Sequence, residues 1–431
     1  MTAVLAIYAA LCLSTLLQPA TAIAGAFCMF GFELWAQASV PYFTSISGRP
    51  LINKLIGAIV VLGLLRKIFG GHPILRGYPV VGWVVFALFF YALVSTLWAP
   101  NPARSLSAFL GQAPYIIIIV FLCPLLCSGT ADFERMFVAT FVLGTVLALL
   151  LMFTVDWQGR GVALPGTYVS YKANPLATGQ LGGTIAIIAA FLSWPKFRLL
   201  NILKWIVVVL GLVMAIRSGS RGQTLALVVV IFACWPIAHR LHDFKAYVML
   251  AFVAALIVAA SFWGLDTYWA DSDRWSEDAL DRAREDRLHF SSQMLDYWFK
   301  TVATMFFGLG SSASVQLTGN YSHIAPVDIL TEEGILGILI YVGIIWICLK
   351  NGLSSFSLVR YNPVQRTQFA ILCAIFVYNF LLSLKQGTFL GSTVLFMAAI
   401  LIGKYQKALL HHHRRLRVIE RDHSPSITDL R

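Results

Sequence analysis

Residues 264–287, GLDTYWADSDRWSEDALDRAREDR, decide how the rest of the chain is read. They crowd Asp266, Asp271, Asp273, Arg274, Glu277, Asp278, Asp281, Arg282, Arg284, Glu285, Asp286 and Arg287 into one short stretch of an otherwise apolar chain. Charged side chains are costly inside a bilayer, so this stretch lies outside one. It opens a polar region that runs to Glu332-Glu333-Gly334, with hydrophobic runs on both sides. The flanks then read as scaffold that holds residues 264–333 over a membrane surface.

The chain of 431 residues is 58% hydrophobic and 12% charged, where soluble domains are about 25% charged. Its mean hydropathy is +0.77. Apolar runs fall near 3–18, 20–36, 51–65, 80–98, 109–127, 136–154, 180–194, 203–216, 223–238, 246–263, 334–349, 368–384 and 387–403. Each approaches the roughly 20 residues a helix needs to cross the hydrocarbon. The expected class is an all-α polytopic membrane protein of 12 or 13 transmembrane helices. About ten of them occupy 1–263, one large loop fills 264–333, and the last helices occupy 334–404. A basic tail, 405–431, is expected to be disordered. The first two runs, split at Gln18-Pro19, are two spans or a re-entrant pair. The N-terminus has no charged leader followed by a cleavage site, so it is read as a retained span.

Lys and Arg in short loops set the orientation. Counting back from the tail (Lys404, Lys407, Arg414, Arg415, Arg417, Arg421), the basic loops 66–76, 196–204, 239–245 and 350–366 all fall on one side. That side is expected to be cytoplasmic. The loops 38–50, 99–106, 156–179, 217–222 and 264–333 then face outward, which in a bacterium means a multi-pass inner (plasma) membrane protein with a periplasmic face. The net charge of +12 follows from this bias and the tail, and leaves room for a polyanionic lipid-linked ligand. Nucleic acid is not expected as a partner, because no basic stretch carries interleaved aromatics on a soluble face. The seven cysteines all fall in apolar runs and read as small buried hydrophobes. No Cys/His spacing suggests a metal, and no cofactor is expected.

Against that layout a few residues stand out. Arg217 and Arg221 lie in Ile216-Arg217-Ser218-Gly219-Ser220-Arg221-Gly222, on the side where positive charge is disfavoured. Two guanidinium forks with glycines and serines between them suit a phosphate, and snorkelling at the interface is the plainer alternative. Arg287 opens Arg287-Leu288-His289-Phe290 within 276–306, a stretch free of Gly and Pro that reads as helix with an amphipathic second half. His323 stands in Tyr321-Ser322-His323-Ile324, close to Asp328, Glu332 and Glu333. An imidazole near pH 7 can take a proton from an attacking hydroxyl. Glu332, Glu333 or, from nearer His323, Asp328 either orients such a base or faces water. Arg49, Arg104, Arg160, Lys172 and Lys385 are further outer-face cations.

The spacing His323-x4-Asp328-x3-Glu332-x-Gly334-x2-Gly337 resembles the signature of the O-antigen ligase and polymerase superfamily. The turn at 217–222 resembles that family's arginine-bearing outer turn. Arg287 with Gly308-Leu309-Gly310 resembles its Arg-to-Gly-x-Gly segment, with a slightly longer spacing. Trp98-Ala99-Pro100 with Arg104-Ser105-Leu106 is similar to its early outer loop. The chain departs from the pattern at Ile324 and Val327.

The resemblance implies a GT-C-like, metal-independent membrane glycosyltransferase. Its donor is a glycan on undecaprenyl pyrophosphate, and its acceptor is a lipid A-core sugar (ligase) or the next lipid-linked repeat (polymerase). It implies catalytic roles for His323, Arg221 and Arg287, with Arg217, Arg221 and Arg287 holding the pyrophosphate. The competing class is a transporter or flippase of lipid-linked oligosaccharide, which calls for intramembrane charge and two matched halves. A peptidoglycan-polymerase type of transferase instead calls for a catalytic carboxylate in the outer loop.

Overall fold

The computed structural model describes residues 1–45, 47–71, 74, 78–158, 161–162, 164, 175–194, 197–239, 248, 277–385 and 387–423. Over these residues the chain is a bundle of helices joined by short turns. In order they are α1 (Thr2–Leu17), α2 (Ala22–Ser39), α3 (Leu51–Phe69), α4 (Val80–Ser95), α5 (Pro102–Tyr115), α6 (Thr130–Phe153), α7 (Pro175–Phe191), α8 (Arg198–Arg217) and α9 (Arg221–Ala238). After residues outside the description come α10 (Glu277–Trp298), α11 (Val302–Phe307), α12 (Ala313–Thr318), α13 (Ala325–Val359), α14 (Pro363–Ser383) and α15 (Thr393–His423). A two-residue ladder pairs Trp157 with Val162 and Gln158 with Gly161.

Twelve of the thirteen apolar runs coincide with helices, and 246–263, apart from Val248, lies outside the described residues. Nine helices among the described residues are long and apolar enough to cross a membrane. Of the other three, α1 and α7 are shorter apolar helices. The third, α3, carries Asn53, Lys54, Arg66 and Lys67. The chain breaks at Gln18–Pro19 into two separate helices, with a 3-10 turn over Pro19–Thr21.

The span windows beginning at Pro19 and at Thr393 are each 83% buried within the bundle, against 28% for that of α8. Hence α2 and α15 form the centre, while α8 turns Leu199, Ile202, Ile206 and Val209 outward. Large apolar side chains on the outside of long helices are what a hydrocarbon solvent favours. Packing without a water-driven force relies on close approach of small residues. Gly182 of α7 and Gly211 of α8 supply it, since a Cβ on either would press on the other's carbonyl.

Basic side chains at the end of the bundle opposite the site described below cap helix C-termini, where the dipole favours cations. Lys67 Nζ donates to the Leu125 and Leu126 carbonyls at 2.7 and 3.0 Å and to Ser128 Oγ at 2.6 Å. Lys204 Nζ donates to the Leu192 carbonyl at 2.6 Å, beyond the end of α7. The Arg366 guanidinium donates to Ile237 and Pro236 at the end of α9. The loops that were to set the orientation by charge thus also finish helices.

Four boundaries differ from the reading of the sequence. The run 109–127 is not one α-helix: after α5 the chain winds wider through a π-helical turn, Ile116–Leu122. Pro114 and Pro124 each remove an amide donor from the ladder on either side of it. The helix expected from residue 334 begins at Ala325 and bends at Gly334. The stretch 276–306 is not one helix, because Thr301 starts a new one through a reciprocal capping box with Thr304. The Thr304 hydroxyl also reaches the Trp298 carbonyl at 2.8 Å, closing α10.

The tail expected to be disordered from residue 405 is helical to His423. No Gly or Pro interrupts it after Gly403, and its first turns are buried: Tyr405 is fully enclosed and donates to the Gln365 carbonyl at 2.8 Å. Residues 424–431 lie outside the described residues.

Candidate functional site

The sequence places the site-building break at Gly334. There α13 adopts φ 69° and ψ −167°, a conformation open in practice to glycine alone. The bend releases the carbonyls of Thr331 and Glu332 from the helical ladder. They are taken up by Gly308-Leu309-Gly310, whose Leu309 and Gly310 amides donate to Thr331 and Glu332 at 2.9 Å each. Gly308, at φ 80°, lies so near that a Cβ would strike the Glu332 carbonyl. The Gly-Leu-Gly segment and the Glu-x-Gly segment are therefore two halves of one backbone joint.

Around this joint a serine-rich loop is fastened on all sides. Glu332 is 5% exposed and spends both oxygens on the start of α12. It accepts the Ser312 amide at 2.9 Å, the Ser314 amide at 3.0 Å and the Ser314 hydroxyl at 2.5 Å. The Ser311 amide donates to Ser95 Oγ at 3.0 Å, and Ser105 Oγ donates to the Ser311 carbonyl at 2.5 Å. The Asn101 amide donates to Gln316 Oε1 at 2.7 Å. Glu332 therefore orients this loop, where the sequence reading offered it as a partner for a base. Its neighbour Glu333 is fully buried beside Ser95 and Tyr91.

His323 lies one short turn from the joint, at φ 62°, a left-handed conformation uncommon outside glycine. The turn is held by Ser322. Its hydroxyl donates to Asp328 Oδ1 at 2.6 Å and accepts the Ile324 amide at 3.1 Å. Asp328, 2% exposed, also faces the backbone amides of Ser322 and Phe389. The carboxylate thus fixes the backbone on which His323 is mounted. The imidazole lies against Tyr321, with ring centroids 4.3 Å apart. Tyr321, Asp328 and Glu332 line a cavity of about 300 Å³ with Arg104, Gln112, Ser312, Ser314 and Phe389.

The arginine turn joins α8 to α9 at the same end of the bundle, with Gly219 at φ 66°. Ser218 is enclosed and its hydroxyl donates to the Ala215 carbonyl at 2.6 Å. The Arg217 guanidinium lies 4.3 Å above the Trp157 ring, a cation–π contact that keeps its edge N–H groups in plane. Gln223 Nε2 donates to the Leu176 carbonyl at the start of α7 at 3.1 Å. Lys385 lays its side chain along Gly222, which adds a third cation beside Arg217 and Arg221.

Residues of the 384–392 loop touch both groups. Its Lys385 touches the arginine turn and its Phe389 amide faces Asp328. A second cavity of about 610 Å³ is lined from the same loop by Gly387, Gly391 and Ser392. Of the predicted residues, His323, Asp328 and Glu332 cluster, and Arg217 and Arg221 form a second cluster. Arg287 lies on α10, and its side chain is outside the described residues, as are Arg160 and Lys172.

The sequence reading missed a polar network in the spans. Glu33 Oε1 accepts Gln37 Nε2 at 3.1 Å, Glu33 Oε2 accepts Asn53 Nδ2 at 3.1 Å, and Asn53 Nδ2 also donates to Tyr115 at 2.9 Å. The i,i+4 spacing of Glu33 and Gln37 within an apolar run was the available signal.

A scan against protein-family models matched none of them, and a search of curated proteins returned no match. What the fold and its polar end define is a class, a multi-pass helical membrane protein.

Proposed function

We propose that this chain is a GT-C-like membrane glycosyltransferase of the O-antigen ligase or polymerase type. It transfers a glycan from undecaprenyl pyrophosphate to an acceptor sugar hydroxyl during surface-polysaccharide assembly. In this reading it sits in the inner membrane with residues 264–333 and the 217–222 turn toward the periplasm. The observation that carries the proposal is the His323 turn, held left-handed by the Ser322–Asp328 hydrogen bond, with its neighbours Tyr321 and Asp328 lining a cavity. Strain of this kind persists where surrounding structure over-determines it, and it concentrates at functional sites.

The chemistry follows from the groups present. The acceptor oxygen attacks the anomeric carbon, and the bond from that carbon to the pyrophosphate oxygen breaks. His323 receives the acceptor proton. The leaving pyrophosphate keeps the bonding electrons, and Arg217, Arg221 and Arg287 stabilise the charge that grows on it. Asp328 is a positioning residue for His323.

One observation favours the transporter reading: the Glu33–Asn53–Tyr115 network lies within the helices. The surface-polysaccharide profile of a deletion strain separates the readings. A ligase leaves finished lipid-linked polymer unattached, a polymerase leaves core capped with a single repeat, and a flippase leaves undelivered lipid-linked units on the cytoplasmic leaflet. A wild-type profile overturns all three.

A further inference from the structure

The cavity of about 610 Å³ between α2, α7, α14 and the 384–392 loop is distinct from the one lined by Tyr321 and Asp328. Its volume falls in the range of small-molecule sites. Its polar lining includes Glu33, Gln37, Arg49, Gln180 and Asn379, and Phe30 adds an aromatic wall. We infer that it is a saccharide site that seats the acceptor sugar, an inference that rests on the transferase reading above.

The balance of charge selects the ligand. A pyrophosphate needs cations without a competing carboxylate, and here Glu33 faces the cavity. A metal cation needs the reverse, and Arg49 lies close enough to Glu33 to oppose it. What remains is a neutral ligand rich in hydroxyls. The Glu33 carboxylate is held in place by donors from Gln37 and Asn53, each at 3.1 Å, which leaves its other lone pairs for sugar O–H groups. Asn379 is anchored by Nδ2 to the Ile375 carbonyl at 2.8 Å, so its amide enters the cavity in a fixed pose. Phe30 is 37% exposed and stacked on Tyr115, presenting a rigid apolar face for the C–H side of a sugar ring. A site of anchored acceptors and donors discriminates strongly for hydroxyls, because its polar groups are left unpaired by a ligand lacking them. The 384–392 loop walls both cavities, so a sugar seated here lies one loop away from the Asp328 cavity.

Saturation-transfer NMR on the full chain in nanodiscs tests this directly. The probes are the methyl glycosides of glucose, galactose, mannose and N-acetylglucosamine, with phosphoethanolamine as the zwitterionic headgroup control. At least one glycoside should draw saturation from the protein, and Glu33→Ala and Gln180→Ala should each weaken it about tenfold or more, the size of a lost charge-assisted or oriented hydrogen bond. Because Glu33→Ala also strips Asn53 of a partner, Gln180→Ala with a wild-type melting curve carries the test if the first variant misfolds. Saturation by none of the glycosides, saturation that survives in well-folded Gln180→Ala, or displacement of the glycoside by phosphoethanolamine overturns the inference. His323→Ala keeps the two readings apart. Retained glycoside binding with retained glycan transfer sinks the catalytic reading and leaves the site standing, while lost transfer without any glycoside binding does the opposite.

Discussion

At the scale of single residues, the site depends on side chains that brace the backbone. Asp328 and Glu332 are buried carboxylates whose partners are a serine hydroxyl and backbone amides. The motif spacing made both residues legible in the sequence, together with His323. Their roles were not legible, because partners such as Ser312 and Ser314 come from a loop whose fold depends on the Gly334 bend. Glu33 was hidden for a different reason: hydropathy averaged over a span absorbs one carboxylate among many apolar neighbours. The bracing role has a measurable consequence. Asp328→Ala frees the Ser322 hydroxyl and lets the His323 turn relax, so transfer should fall about a hundredfold, the usual cost of a slight misplacement of a catalytic group. Asp328→Asn keeps an acceptor for Ser322 and should fall much less. Equal losses in the two variants would show that the charge acts directly and that positioning is not the role.

At the scale of elements, the joint between Gly308-Leu309-Gly310 and the bend of α13 organises the polar end. Gly334→Ala forces an L residue into a glycine-only conformation and drives a Cβ toward Gly308 and Phe306. The strain alone costs about 1–3 kcal/mol, and a lower melting temperature of the purified protein should record it. An unchanged melting temperature would mean that the bend relaxes freely. Sequence reading gave the glycines but placed the start of the helix nine residues late, at 334 instead of 325. Hydropathy marks where the apolar stretch begins, and the helix extends beyond it through polar residues that pack inward.

A second element-scale consequence lies at the far end. Burial, with Lys204 and Arg366 adding like charge, holds the His239 imidazole below its ordinary value of 6.5. The unfolded chain then takes up the proton first as pH falls, so stability is lost as pH drops through 6.5. Melting temperatures measured from pH 8 to pH 5 should decline more steeply for the wild type than for His239→Asn. Parallel curves would remove His239 as the cause.

At the scale of the whole molecule, the arrangement of spans was the most legible feature. Long apolar runs leave the backbone no alternative to helix in a bilayer, so twelve of the runs read from composition are helical among the described residues, one of them broken by the π-helical turn at Ile116–Leu122. What composition could not give was which helices form the centre. α2 and α15 are enclosed although each carries polar residues, Glu33 and Gln37 on one and Lys404 on the other. Glu33 takes a donor from Asn53 on another helix, and a hydropathy window does not see such a partner. The same bundle gathers the His323 turn, the arginine turn and residues of the 384–392 loop at one end, where the proposed donor and acceptor would have to meet.

The most direct test reconstitutes the purified chain in proteoliposomes with a lipid-linked glycan donor and its acceptor, and compares glycan transfer by the wild type and by His323→Ala at equal, verified incorporation. The account predicts transfer by the wild type and its loss in His323→Ala, with an unchanged melting temperature. Transfer by His323→Ala at the wild-type rate would contradict it.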